Sequence, residues 1–91
     1  HMVKIEVEVD RIDQIEPALS GGADVIMLDN MDPPTMAEAV TLIARRAIVE
    51  ASGSITKDTV KAVAESGVDV ISVGWITHSA PTLDVGLDFQ H

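Results

Sequence analysis

The sequence predicts an α/β protein of four parallel βα units, half of a (β/α) barrel. Three observations predict it. Apolar runs too continuous for half-exposed strands alternate with segments of helical period. Their order, βαβαβαβ, becomes a parallel sheet once the crossovers are right-handed. The chain also repeats: GGADVIMLD (21–29) aligns with SGVDVISVG (66–74) at an offset of 45 residues. That makes two βα units per repeat, as expected of a barrel or part of one. A flavodoxin-like open sheet is the competing fold, but it usually needs a fifth strand and a longer chain.

The first strand is expected at Val3–Val9, where Ile5, Val7 and Val9 alternate with Glu6 and Glu8. Ile12, Ile15, Ala18 and Leu19 mark the first helix, which Pro17 should kink or shorten. The second strand is Asp24–Leu28. Asp32 is placed to cap the second helix, with Pro33 at its first position and Met36, Ala39, Val40 and Ile43 on its apolar face. Ala47–Ala51 is the third strand. Thr56 is placed to cap the third helix, marked by Val60, Val63 and Ala64, and Gly67 to close it. Val68–Val73 is the fourth strand. The repeat offset also pairs Ile15 with Val60, Ala18 with Val63 and Gly22 with Gly67.

A chain of 91 residues makes one small domain, and 46% hydrophobic residues suffice for its core. With Trp75 and Phe89 as the only aromatics, that core must be aliphatic, with the four methionines as filler. There is no cysteine, hence no disulfide framework and no thiolate metal site. A net charge of −9 argues against nucleic acid and anionic membranes as partners. No apolar run approaches the roughly 20 residues of a membrane span, and no signal peptide opens the chain, so a cytoplasmic protein is expected. His1-Met2 reads as a cloning remnant ahead of a domain at 3–91.

The chemistry of such folds gathers where strands hand over to loops. Those positions carry Glu8, Asp29-Asn30, Ser52-Gly53 and Gly74; the offset equates Glu8 with Gly53 and Asp29 with Gly74. If the apolar side of each strand faces helices, Glu6, Glu8, Met27, Asp29, Glu50, Ser52, Ser72 and Gly74 point into the lumen. Four carboxylates then share it, while the six cations read mostly as loop or outer-helix residues. Enclosed carboxylates need partners: a metal, ligand cations, or Lys/Arg from chain outside this sequence. Two rim carboxylates, Glu8 and Asp29, without a nearby thiol suit Mg²⁺ completed by substrate phosphate oxygens. EASGSIT (50–56) is a strand, a Ser52-Gly53-Ser54 turn and a capped helix, a pattern that binds anions through backbone N–H groups. A second such turn is expected at Gly74, followed by Thr77, His78 and Ser79. Two phosphate cradles opposite two metal-suited acids fit a phosphorylated sugar or a nucleotide made from one.

Each feature also has a plainer reading. Alternating glutamates suit a solvated edge face, Asp29 a turn or helix cap, His78 an ordinary loop, and Trp75 a plug at the barrel end. What favours function is that all the candidates fall on one rim.

KIEVEVD, ADVIMLDNM, EASGSIT and GVDVISVGWITHSAPTLDVGLDF resemble, in order and spacing, the C-terminal part of quinolinate phosphoribosyltransferase, also called nicotinate-nucleotide pyrophosphorylase (carboxylating). The resemblance covers residues 3 to 90. It implies an enzyme of NAD biosynthesis that converts quinolinate and phosphoribosyl pyrophosphate, with Mg²⁺, to nicotinate mononucleotide, pyrophosphate and CO₂. By motif, Glu8 and Asp29 match the carboxylates on the ribose hydroxyls and the metal-bound phosphoribosyl group. Ser52, Gly53 and Ser54 match the phosphate-binding turn, and Gly74 and His78 the second phosphate-contacting loop. Three departures stand out. Ser54 replaces the usual glycine of a Ser-Gly-Gly turn. Trp75 occupies a position that is usually small. The family's N-terminal domain and earlier barrel strands, which supply the Arg/Lys cluster for quinolinate, have no counterpart here. The resemblance therefore implies a chain inactive alone. Its open parallel edges should drive self-association, with two copies completing an eight-stranded barrel or swapping elements about a two-fold axis. The alternatives are a folding or design module with at most residual phosphate binding, and a different phosphate-binding barrel enzyme sharing only the cradles.

Overall fold

The computed structural model describes residues 4–53, 55–73 and 86–89. Five parallel strands form one sheet: β1 (Glu6–Val9), β2 (Val25–Asp29), β3 (Ile48–Ser52), β4 (Val70–Val73) and β5 (Gly86–Phe89). Between them lie α1 (Ile15–Ser20), α2 (Pro33–Ile43) and α3 (Val60–Glu65). All four expected strands form, and β5 extends the sheet beyond them. Strand order follows chain order, β1-β2-β3-β4-β5. A flavodoxin-like sheet reverses direction part-way; a barrel wall does not.

Burial makes the same distinction. Val9, Ile26, Leu28, Val49, Ala51 and Ile71 share one sheet face and pack with Ile15, Met36, Ala39, Ile43 and Val63 of the helices. Val25 lies on the other face and outside that core. There Met27 and Val70 are half-buried, Glu6 and Glu8 exposed, and Ile48 is 40% exposed. Among the described residues, helices cover one face and none covers the other, the concave wall of a half-barrel.

Local chemistry sets the element ends. Ile12–Gln14 forms a 3-10 turn, and the α-helix starts only at Ile15. Pro17 explains the break, because a continuous helix from Ile12 would need an N–H that proline lacks. Asp32 caps α2 by accepting from the Thr35 N–H at 2.9 Å, with proline at the first position, as expected. Thr56 does not cap α3. The helix begins at Val60 with Thr59 before it, and a turn at 57–59 intervenes. The Thr59 hydroxyl accepts from the Thr56 N–H at 2.9 Å, and the Thr56 carbonyl accepts from Val60 at the same distance. The Thr59 hydroxyl thus ties the turn back to Thr56, and neither threonine side chain caps an N–H of α3. Gly67 follows α3 at φ +99°, as its expected closing role requires.

The repeat extends to the strand starts, where the sequence reading assigned no role. Asp24 and Asp69, 45 residues apart, each reach to the preceding strand: Asp24 Oδ2 accepts from the Ile5 N–H (2.8 Å), Asp69 Oδ2 from the Val49 N–H (2.9 Å). Each carboxylate satisfies a backbone donor where the ladder begins.

One exposed contact ties α1 to the end of α2. Arg46 donates to both oxygens of Glu16 (2.8 and 3.3 Å) and to the carbonyls of Leu42 and Ile43. The guanidinium's hydrogen bonds hold the Glu16 carboxyl below its ordinary range. Thr35, through its hydroxyl and then its backbone N–H, does the same to Asp32. Both groups are depressed in the folded state. Their stabilisation is therefore complete above the unfolded carboxylate range and is lost as pH falls through the lower folded values. Urea unfolding midpoints should fall on acidification below pH ~4. The double variant Glu16→Gln/Asp32→Asn should show a shallower fall; an unchanged slope would exclude these two carboxylates as its source.

Candidate functional site

In a parallel sheet, register partners share a face, so the pairing fixes which residues meet. One row on the concave face reads Glu8, Met27, Glu50, Val70. The next, nearer the carboxyl ends, contains Asp29 and Ser52. The inward set expected from alternation, Glu6, Glu8, Met27, Asp29, Glu50, Ser52 and Ser72, therefore occupies one face. Glu8, Asp29 and Ser52 all lie at the carboxyl end of the strands. Glu8 is exposed, and Asp29 and Ser52 are half-buried. Ser54, Gly74, Trp75 and His78 lie outside the described residues, so the second phosphate loop does too.

One equivalence needs correction. Glu8 precedes its register partner Met27 by 19 positions, whereas Glu50 precedes Val70 by 20. The 45-residue offset aligns β2 with β4 but slips by one between β1 and β3. The structural counterpart of Glu8 is thus Ser52, not Gly53, in keeping with both side chains facing the lumen.

The turn after β3 is shaped by its neighbour. Asn30, immediately after β2, adopts φ +58°, a left-handed conformation that asparagine tolerates. Its N–H donates to the Ser52 carbonyl at 3.0 Å. Gly53, at φ +108°, sits against that backbone, and a Cβ there would lie 2.7 Å from Asn30 N. The Gly53 carbonyl accepts from the Ile55 N–H at 2.8 Å. Asp29-Asn30 is therefore a lumen-facing acid followed by a bend that lets the β2 and β3 turns close on each other. In the sequence Asn30 belongs to the motif with Asp29, and the motif alone gives it no such role. A small polar residue directly after a strand was the available signal. The anion-site expectation also drew on the following helix N-terminus. That end, at Val60, is seven residues past Gly53, so the backbone turn stands without it.

None of the six cationic residues lies in a described strand, and all six are exposed. Arg11 pairs with Asp13 at 3.1 Å and Arg46 with Glu16. The described lumen face is thus acidic and uncompensated by its own chain. Among the described residues no three acidic or imidazole groups are gathered closely enough to hold a metal by themselves. The pair Glu8 and Asp29, on adjacent strands and two register positions apart, is a two-oxygen-donor set. A cleft of about 280 Å³ lies on this rim, lined by Asn30, Met31, Asp32, Pro33 and Thr59. A larger one, about 750 Å³, opens at the opposite end among Asp24, Ala44, Arg45, Ile48 and Asp69. At that end Asp24 and Asp69 are engaged in starting the strands, and α/β chemistry belongs at the carboxyl ends.

Residues 1–88 match the family described as quinolinate phosphoribosyl transferase, C-terminal domain. The chain belongs to this family. It is 49% identical over 89 residues to a probable nicotinate-nucleotide pyrophosphorylase [carboxylating] of Archaeoglobus fulgidus, covering 92% of this chain and 34% of that protein. It is 43% identical over 88 residues to a protein of the same name from Bacillus subtilis, covering 97% and 30%. A solved nicotinate-nucleotide pyrophosphorylase from Ehrlichia chaffeensis superposes with a TM-score of 0.74 at 39% identity, over 90% of this chain and 30% of that one. The chain thus spans about a third of the length of these family members. No described helix is long and apolar enough to cross a membrane.

Proposed function

We propose that this chain carries the phosphoribosyl-binding rim of a quinolinate phosphoribosyltransferase. The observation supporting it is the register that sets Glu8 and Asp29 on the same face and end of the sheet as the Ser52-Gly53 turn, in a chain of this family. In the whole enzyme the reaction joins quinolinate to the phosphoribosyl group of phosphoribosyl pyrophosphate and releases pyrophosphate and CO₂. The turn, with Ser54, holds the sugar's phosphate through backbone N–H groups, and Gly74 and His78 contribute the second loop. Glu8 and Asp29 accept from the ribose hydroxyls and hold a divalent metal. Two carboxylates completed by substrate oxygens suit Mg²⁺, which would neutralise the leaving pyrophosphate.

The described lumen holds acids and no cation, so quinolinate's two carboxylates find no counter-charge in it. This supports a chain that releases no quinolinate-dependent pyrophosphate alone. The binding half of the proposal is tested by calorimetry with ribose 5-phosphate. Affinity should rise when Mg²⁺ is added, and the rise should vanish in Glu8→Gln/Asp29→Asn. The same metal dependence in that variant would contradict the assignment.

We also propose that the exposed edge and open face drive self-association in a cytoplasmic protein. Light scattering should show mass increasing with concentration; a monomer throughout would refute this. A folding module with no ligand remains distinguishable, since it would bind ribose 5-phosphate under no condition.

A further inference from the structure

Glu50 lies on the lumen face two positions before the end of β3, so a reading confined to strand ends passes over it. Its Oε2 accepts a hydrogen bond from the Ser72 hydroxyl across the β3–β4 pair. Ser72 is 2% exposed, the one buried polar residue among the described residues. A sealed hydroxyl committed to one carboxylate oxygen fixes the carboxylate's orientation and leaves Oε1 to accept from something else. Glu50 is half-buried, so that oxygen borders the concave space.

Position narrows the ligand chemistry. Glu50 shares a row with Met27 and Glu8 and lies two residues, about 7 Å, below Ser52 along the strand. A phosphate on the Ser52-Gly53 turn would be repelled by Glu50, so Glu50 is not a phosphate ligand. What reaches it is the deeper part of a molecule whose phosphate is already on the rim, and that part must donate hydrogen bonds. We infer that Glu50, oriented by Ser72, accepts from a hydroxyl of the bound sugar, so that the site prefers a phosphorylated pentose to free phosphate. Ser72 is then a positioning residue. The inference rests on the proposed phosphoribosyl rim and adds a third carboxylate, with a selective role, to it.

The test titrates ribose 5-phosphate and inorganic phosphate, at fixed Mg²⁺, into the wild-type chain, Glu50→Gln and Ser72→Ala. The wild type should bind ribose 5-phosphate more tightly than phosphate. Glu50→Gln should weaken ribose 5-phosphate about 10-fold, as befits a hydrogen bond to a charged acceptor, and should not weaken phosphate, whose repulsion it relieves. Ser72→Ala should lose about 3-fold on the sugar phosphate alone, since the carboxylate remains but is no longer held. Undiminished phosphate affinity in both variants doubles as evidence that the rim is still folded. A preference that survives Glu50→Gln, or an equal loss for both ligands, overturns the inference while the rim stands. If phosphate and ribose 5-phosphate both fail to bind the wild type, the functional proposal falls and the inference with it.

Discussion

Gly53→Ala should lower the stability of the chain by about 3 kcal/mol, a large share of the roughly 5–10 kcal/mol expected of a domain this size. Two effects combine. The backbone at φ +108° lies in a region closed to L side chains without strain. The added Cβ would also meet Asn30 N at 2.7 Å and Asn30 Cα at 2.9 Å. Both are main-chain atoms, so no side-chain rotation relieves the contact. The β2 and β3 turns must part, breaking the 3.0 Å bond from the Asn30 N–H to the Ser52 carbonyl. Urea unfolding measures the loss. Gly21→Ala is the control: it has a negative φ of −79° and its nearest contact would be 3.4 Å, so it should change little. Equal effects at the two glycines would show that the two turns are not packed as described.

Leu28→Ala should destabilise by about 3–4 kcal/mol, in the middle of the range for buried leucines. Leu28 is wholly buried on the helix-covered face, in a row with Val9, Ala51 and Ile71. Small-residue truncation there opens a cavity between sheet and helices. Its chain neighbour Met27 points the other way and is half-buried. Met27→Ala should cost only about 1 kcal/mol, because little area leaves water there. The contrast between adjacent positions is the sharper measurement. Were the second face also covered by this chain's own elements, as in a doubly wound sheet, the two substitutions would cost similar amounts.

Much of this arrangement is legible in the residues. Val25 to Leu28 reads as a parallel strand, though Met27 is only half-buried on the face the helices leave open, and the alternation in Glu6–Val9 sorts lumen from core. Asp32-Pro33 announced α2. What escaped did so for physical reasons. Gly86–Phe89 contains a glycine and an aspartate and has no apolar run, so pairing with β4 defines it rather than propensity. Thr56 reads as a cap, but the turn at 57–59 moves the helix start to Val60 and the Thr59 hydroxyl takes up the Thr56 N–H instead. The one-residue slip that makes Ser52 the counterpart of Glu8 comes from connection length, invisible in a gap-free repeat. Asp24 and Asp69 were legible in principle: their recurrence at the repeat offset pointed to a shared role that alternation alone does not assign. Glu50 was seen as inward-facing, but its partner Ser72 becomes apparent only when β3 and β4 are paired.

The central claim is that carboxylates and a glycine turn converge on one end of this sheet to hold a sugar phosphate. Amide chemical shifts followed during titration with ribose 5-phosphate and Mg²⁺ test it most directly. The perturbed amides should be those of Asn30, Ser52 and Gly53, with neighbours of Glu8 and Asp29 next. Perturbation centred instead on Asp24, Ile48 and Asp69, at the opposite end of the strands, would contradict it.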